Sequence, residues 1–382
     1  MQLLPSMRSP TKQLERKRSK RDMDIQRFIG TLLLSVLLVA SSRGVATSGQ
    51  PKEARLAARM VSAYCTRNVD TALSPANVAL LFAALAEGTR GTLRSELRDF
   101  ASEAVGAPQG TDQGVSQAIG IWLASSLDLD SSFAASVKAR LREELFVSHT
   151  GELSLGLGAW LAQHHVSVPE PAVSLDPGLL SIATASSYRD QFVVPFDKRS
   201  TRAKIFWGRT GPRVEQFMSG ERVFLVFEDA AIRAVRLDLR GGAHIDLIES
   251  RKRASPCDLL GTYLSKPEPH FVADRPRVVE IPRVSLRGKW VDLRAVLASR
   301  TLASLFDQKS RPIVALVRGK HVALNHLIHA TQFALFEEGV DASAASIGSV
   351  ALAPSPVIRF DHPFSMVVTD GRGVIMFTAT FS

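Results

Sequence analysis

Phe336–Val350 reads FEEGVDASAASIGSV, two acidic residues and a glycine leading into a run of small side chains shortly before the chain ends in apolar, strand-like sequence. Taken with period two from Val340, one face carries Val340, Ala342, Ala344, Ser346, Gly348 and Val350. The other carries Asp341, Ser343, Ala345, Ile347 and Ser349. The first face is small and nearly apolar, so such a segment fits between two strands of an existing sheet. No inward side chain forces the neighbours apart and no charge is buried. A flexible Ala/Ser linker has the same composition. The stretch alone leaves both readings open, and its surroundings have to decide.

The chain has 382 residues, 45% hydrophobic and 22% charged, which describes a globular protein with a substantial core and excludes general disorder. That length holds either two or three average domains or one large α+β core. Arg27 precedes an apolar run from Phe28 to Ala40, followed by small residues around Ser42 and Ala46, in the layout of a secretory signal. The run falls short of the ~20 residues that span a bilayer. Residues 1–48 are therefore expected to be a basic extension plus signal, residues 49–382 a single domain, and the mature protein secreted with no membrane span. Within Met1–Asp22 the stretch KQLERKRSKRD makes a long basic preamble; Met23 is an alternative start, and a nuclear-type basic cluster is the rival reading. Residues 1–27 hold eight Lys or Arg against three Asp or Glu, so half of the formal net charge of +10 sits there. What remains is too modest for a nucleic-acid module. Cys65 and Cys257 are too few for a disulfide scaffold and lack histidines at zinc-finger spacing. They are expected to pack as small buried thiols, with a single bridge as the alternative.

Along the first half, periodicity predicts helices over Lys52–Cys65, from Pro75 to Gly88 behind a Ser74 cap, and beyond with Leu93, Leu97 and Phe100 on its apolar face. A loop is expected over 101–116, a strand at IGIWL, and helices over Ser131–Leu145 and Leu153–His165. From Ser186 onward short β-like runs dominate. Val235, Leu237 and Leu239 alternate with charges before an RGG turn, and Ala243–Ile248 returns as the second arm of a hairpin. RVVEIPRVSL reads as a strand, DLRAVLASRTLASLF as helix, and VIRFDHPFSMVVTDGRGVIMFTATF as two strands about a Thr-Asp-Gly turn.

Six motifs in this order resemble the serpin family, the serine protease inhibitors, over residues 50–382. LSPANVALLFAALAEGTRGTLRSEL is similar to the family's Ser-Pro helix, turn and next helix. YRDQFVVPFDKRST resembles its Phe-Lys-Gly-x-Trp-x-x-Pro-Phe block, and AVRLDLRGGAHIDLI its Leu-Pro-Tyr-x-Gly hairpin. EIPRVSL with DLRAVL, HATQFALFEEGVDASAAS as hinge, and RFDHPFSMVV complete the set. The resemblance implies an α+β fold with helices packed on a large mixed central sheet, further antiparallel sheets, and an exposed reactive loop over about 337–360. It also implies a mechanism in which a protease attacks the loop and is trapped as an acyl-enzyme while the cleaved loop inserts as a new strand.

Carried over residue by residue, Glu337 and Glu338 begin the hinge, Gly339 is its pivot, Val340 the first residue to enter, and Ala342, Ser343, Ala344 and Ala345 follow. Ser74, Asn77, Thr184, Phe192 and His329 fall in the sheet-opening region. Phe192 stands where the family has tryptophan and Thr184 where it often has asparagine; Thr378 replaces a usual glycine. Glu337 has two alternatives for Arg283, an ion-pair partner or a solvated strand residue. Counting from Glu337 places the scissile bond at Ala353-Pro354 and counting back from Pro363 places it at Leu352-Ala353. The imide of Ala353-Pro354 makes a poor substrate, so Leu352-Ala353 is the expected reactive bond, suited to a chymotrypsin- or elastase-like serine protease or a cysteine protease. The stretch between Phe100 and Ile119 is short, so heparin activation is not expected. No G-x-S-x-G, P-loop or H-E-x-x-H motif is present, so no enzyme is expected. His164, His165, His326 and His329 read as structural and no metal or cofactor is implied. A monomer is expected. The alternative function is that of a non-inhibitory secreted serpin, acting as carrier, chaperone or structural protein.

Overall fold

A computed structural model describes residues 52–66, 69–102, 115–141, 145–149, 153–167, 178–267, 269–286, 290–297, 299–340 and 355–382. Three larger sheets and seven α-helices are present among them, together with a two-stranded hairpin of Ile313–Val317 and Lys320–Val322. The α+β expectation holds.

The large sheet runs Leu145–Ser148, Val115–Leu123, Leu180–Tyr188 and His326–Phe336, the last two parallel and in register from His326 opposite Ser181 to Gln332 opposite Ser187. Val284–Leu286 and Trp290–Asp292 cover the far flank of His326–Phe336. All nine residues of Leu180–Tyr188 are buried. That strand reads LSIATASSY, and its small side chains allow the helix Leu153–Gln163 to lie close, with Trp160 meeting Trp122 edge to face at 5.4 Å over Ala118, Ala183, Ala185 and Ala330.

A six-stranded antiparallel sheet comprises Thr71–Leu73, Ile375–Phe381, Phe364–Thr369, His244–Ser250, Ile232–Asp238 and Leu225–Glu228. Its hairpin is the one expected, with Leu237 opposite Ile245 and the Leu239 amide bonded to the Ala243 carbonyl across the RGG turn. The helix Pro75–Gly88 passes between this sheet and the large one and is buried on nearly every side. Ser74 caps it by accepting from the Asn77 amide at 3.3 Å, and Pro75 supplies a preset first turn. The third sheet holds Val357–Arg359, Pro276–Pro282, Gly211–Val223 and Arg202–Gly208.

Several expectations are corrected. Cys65 and Cys257 are joined in a disulfide that spans 192 residues of sequence, because the helices Lys52–Tyr64 and Pro256–Leu264 pack together and bring their ends within 5.7 Å Cα to Cα. The Ser131 helix stops at Leu141, and Leu145–Ser148 instead pairs in parallel with Val115–Leu123 at the sheet edge. RVVEIPRVSL is two strands in two different sheets, parting at Arg283. DLRAVLASRTLASLF is helical as expected but not continuous, falling into three short helical pieces, Leu293–Val296, Arg300–Ala303 and Ser304–Phe306.

Candidate functional site

After Phe336 the chain reverses through Glu337 and Glu338 and comes back as Gly339–Val340. Leu335 has Val284 on one flank and Val340 on the other. Gly339–Val340 thus lies on the same flank of His326–Phe336 as Leu180–Tyr188, just past its end. On its outer side it pairs with Asp190–Gln191, the continuation of that strand. The two parallel strands have parted here by the width of one strand, and the hinge residues occupy the gap with Val340 fully buried.

Burying two adjacent carboxylates at this turn requires compensation. Glu337 receives Arg283 Nη2 at 2.6 Å and Nε at 2.9 Å, and the Thr201 hydroxyl at 2.6 Å. Burial pushes its carboxyl up, but the bonds from Arg283 and Thr201 outweigh this and hold it below the usual carboxylate range. Arg283 reaches it because it sits at the crossover between two sheets, its amide bonded to the Gln216 carbonyl at 2.8 Å. Glu338 pairs with Lys198. The Glu337 and Glu338 carbonyls accept from the Phe196 and Phe192 amides, both at 2.8 Å. Each carboxylate at the turn therefore has a basic partner, Glu337 through hydrogen bonds and Glu338 through charge alone, its Oε1 making no hydrogen bond.

Gly339 has φ +146, and a Cβ there would stand 2.2 Å from the Asp190 carbonyl oxygen. Only glycine lets the returning strand approach this closely. Phe192 sits at this end, fully buried and edge to face with Phe196 at 5.6 Å.

The other sheet-opening residues gather lower down. His329 lies beside Thr184 in the parallel ladder, and its Nε2 accepts the Ser74 amide at 3.0 Å. Ser74 donates its hydroxyl to the Met376 carbonyl at 2.8 Å, and Asn77 Nδ2 donates to the Ala185 carbonyl at 2.8 Å. His329 Nδ1, Thr184 Oγ1, Asn77 Oδ1 and Thr378 Oγ1 are buried without a hydrogen-bond partner. The structure thus separates Phe192, at the hinge, from Ser74, Asn77, Thr184 and His329. Ala342, Ser343, Ala344, Ala345, Leu352 and Ala353 lie outside the described residues. Lys198, Thr201, Phe196 and Asp190 were not among the expected site residues; the only sequence signal for them is their place in and around the YRDQFVVPFDKRST block.

The fold is an α+β domain in which the two residues that start the C-terminal loop pair between His326–Phe336 and Asp190–Gln191, at the end of a parallel strand pair. The chain belongs to the Serpin (serine protease inhibitor) family, whose model matches residues 52–382. Serpin-ZX of Arabidopsis thaliana is 25% identical over 368 residues, covering 84% of this chain and 93% of that protein. Serpin48, a highly specific serpin of the insect Tenebrio molitor, superimposes with a TM-score of 0.71 at 18% identity over 88% of this chain and 98% of its own. Human thyroxine-binding globulin complexed with thyroxine gives a TM-score of 0.72 at 14% identity over 87% and 97%. The two structures bear on fold alone. Many serpins inhibit serine proteases and some do not.

Proposed function

We propose that this chain is a suicide-substrate inhibitor of a chymotrypsin- or elastase-like serine protease, cleaved at Leu352-Ala353 and trapping the acyl-enzyme as the loop inserts. The observation that carries this reading is the position of Gly339–Val340, seated between His326–Phe336 and Asp190–Gln191 at the end of a closed parallel pair. Insertion after cleavage extends a pairing already begun, exchanging the single ladder between His326–Phe336 and Leu180–Tyr188 for two, one on each side of the new strand. The Cys65–Cys257 bridge supports secretion, since such bridges persist in oxidising compartments. The test is incubation with chymotrypsin and neutrophil elastase followed by denaturing electrophoresis. A covalent complex stable to detergent is the expected result; cleavage of the loop with no complex, and with no rise in the thermal midpoint, would overturn the reading.

A second reading, a carrier, is favoured by a cavity of about 570 Å³. Ala54, Tyr263, Leu264, Val367 and Ile375 line it with Arg236, His244 and Lys266 and with Asp246 and Asp370, a volume and mix suited to a small ligand with an apolar body and polar ends. Saturable binding of thyroxine without any protease complex would favour this alternative.

A further inference from the structure

Between the strand ending at Ser250 and the helix beginning at Pro256 lies Arg251-Lys252-Arg253-Ala254, exposed at all four residues and outside any helix or strand. Among the described residues no other three consecutive positions are all basic, and the one other adjacent basic pair, Lys198-Arg199, lies within a helical turn with Lys198 paired to Glu338. Arg251 is held, its guanidinium by Glu228 at 2.6 Å and its amide by the Ala231 carbonyl at 2.9 Å. Lys252 and Arg253 make no ion pair among the described residues. Their segment is fastened by Ser250 Oγ, which accepts from the Lys252 amide at 3.0 Å and the Ala254 amide at 2.8 Å. Two exposed hydrogen bonds hold little free energy against local opening. Arg253 moreover has φ 58, a left-handed conformation unfavourable to a residue with a side chain, so extension of the loop releases strain.

The bridge gives this loop its significance. Cys65 lies before it and Cys257 just after it, so a break at residue 253 leaves the two halves covalently joined. We propose that Arg251-Lys252-Arg253 is a processing site at which a serine endoprotease specific for paired basic residues hydrolyses Arg253-Ala254, giving a two-chain protein tied by Cys65–Cys257. One water is consumed: the amide C–N bond breaks, Arg253 gains a carboxylate and Ala254 an ammonium. The acidic pocket of such a protease matches Lys252 and Arg253. The segment from Gly339 to Ile358 contains no lysine or arginine, so the same protease has no target in the reactive loop. Processing and loop cleavage therefore belong to proteases of opposite specificity, and the processing cut leaves Glu337–Val340 untouched.

The experiment treats the full chain with a dibasic-specific serine endoprotease and compares reducing with non-reducing electrophoresis, sequencing any new N-terminus. A fragment beginning at Ala254 is expected, released only on reduction. The double variant Lys252→Gln, Arg253→Asn keeps the turn, since asparagine tolerates the left-handed backbone. It should form that fragment about 100-fold more slowly, because the pocket's acid is left unpaired. Failure to produce an Ala254 terminus, equal cleavage of the variant, or separation of the fragments without reductant would overturn the proposal.

Discussion

The lip and the middle of one slot are built on opposite principles. At the hinge, Glu337 and Glu338 are buried yet each has a basic partner, and both carbonyls accept a backbone amide. Midway down the same parallel pair, Thr184 and His329 lie side by side, each with a buried polar atom unmatched. A matched buried charge is costly to disturb, whereas an unmatched polar group lowers the cost of separating the strands that enclose it. The lip is fastened by ion pairs, and the interior is held by a continuous strand ladder that encloses unmatched polar atoms.

The largest effect is expected from reversing charge at the lip. Glu337→Lys sets an ammonium against Arg283 and leaves the Thr201 hydroxyl without its acceptor; it should cost about 3–5 kcal/mol in urea unfolding. Pairing it with Arg283→Glu should restore most of the loss, because the pair would be re-formed with its polarity exchanged. A single variant within 1 kcal/mol of the parent, a threshold at the level of ordinary surface changes, would show that the lip is not fastened by charge. Next comes Gly339→Ala, whose methyl meets the Asp190 carbonyl in a backbone region alien to alanine. A cost of about 2–3 kcal/mol is expected. Its signature is faster hydrogen exchange at the Val340 amide as the hinge leaves the slot; unchanged exchange would mean that Val340 is held by something other than its neighbours in the sheet.

How much of this contrast can be read from sequence depends on the range of each interaction. Ser74-Pro75 announces its helix because a cap and a proline act within one turn. The small residues after Gly339 announce a strand-compatible segment for the same local reason. The Cys65–Cys257 bridge depends on two helices meeting across 192 residues, and no local pattern encodes that meeting. Leu145 closes an apparent helical pattern that begins at Ser131, yet it opens the strand Leu145–Ser148 because a sheet edge is available to it. Arg283 left two readings open until the crossover of its strand between sheets brought it to Glu337. The unmatched pair at Thr184 and His329 is likewise a matter of register between strands far apart in the chain.

Acid should act on the interior and the lip in the same direction. Burial pushes His329 down to about 3 from its usual 6.5. Between those values the unfolded chain binds a proton that the folded chain refuses. Stability is thus full above pH ~6.5 and falls by about 1.4 kcal/mol per unit as pH drops toward 3. Glu337, with its folded value depressed, adds stability present above the ~4.3 of an unfolded glutamate and lost as pH falls through the folded value. His329→Gln keeps an acceptor for the Ser74 amide while removing the titration, so the slope between pH 6.5 and 4.5 should flatten. An unaltered slope would place the acid sensitivity elsewhere.

The smallest change addresses the interior directly. With Nε2 accepting from Ser74, the proton of His329 is on Nδ1, and threonine at 184 offers it nothing. Thr184→Asn replaces the hydroxyl and methyl with a carboxamide, whose oxygen is an acceptor one bond further out, within reach of that proton, and would join the two strands by a side-chain bond across the slot. Closed-state stability should rise by about 1 kcal/mol. If loop insertion requires these strands to part, the rate of protease trapping should fall while the rate of loop cleavage stays the same, so more inhibitor is consumed per complex formed. A variant that gains stability without this partition toward cleavage would show that the middle of the slot is not on the path of insertion. One that loses stability would show that the space beside His329 is too tightly packed for the added atoms, and that the mismatch there is electrostatic and not steric.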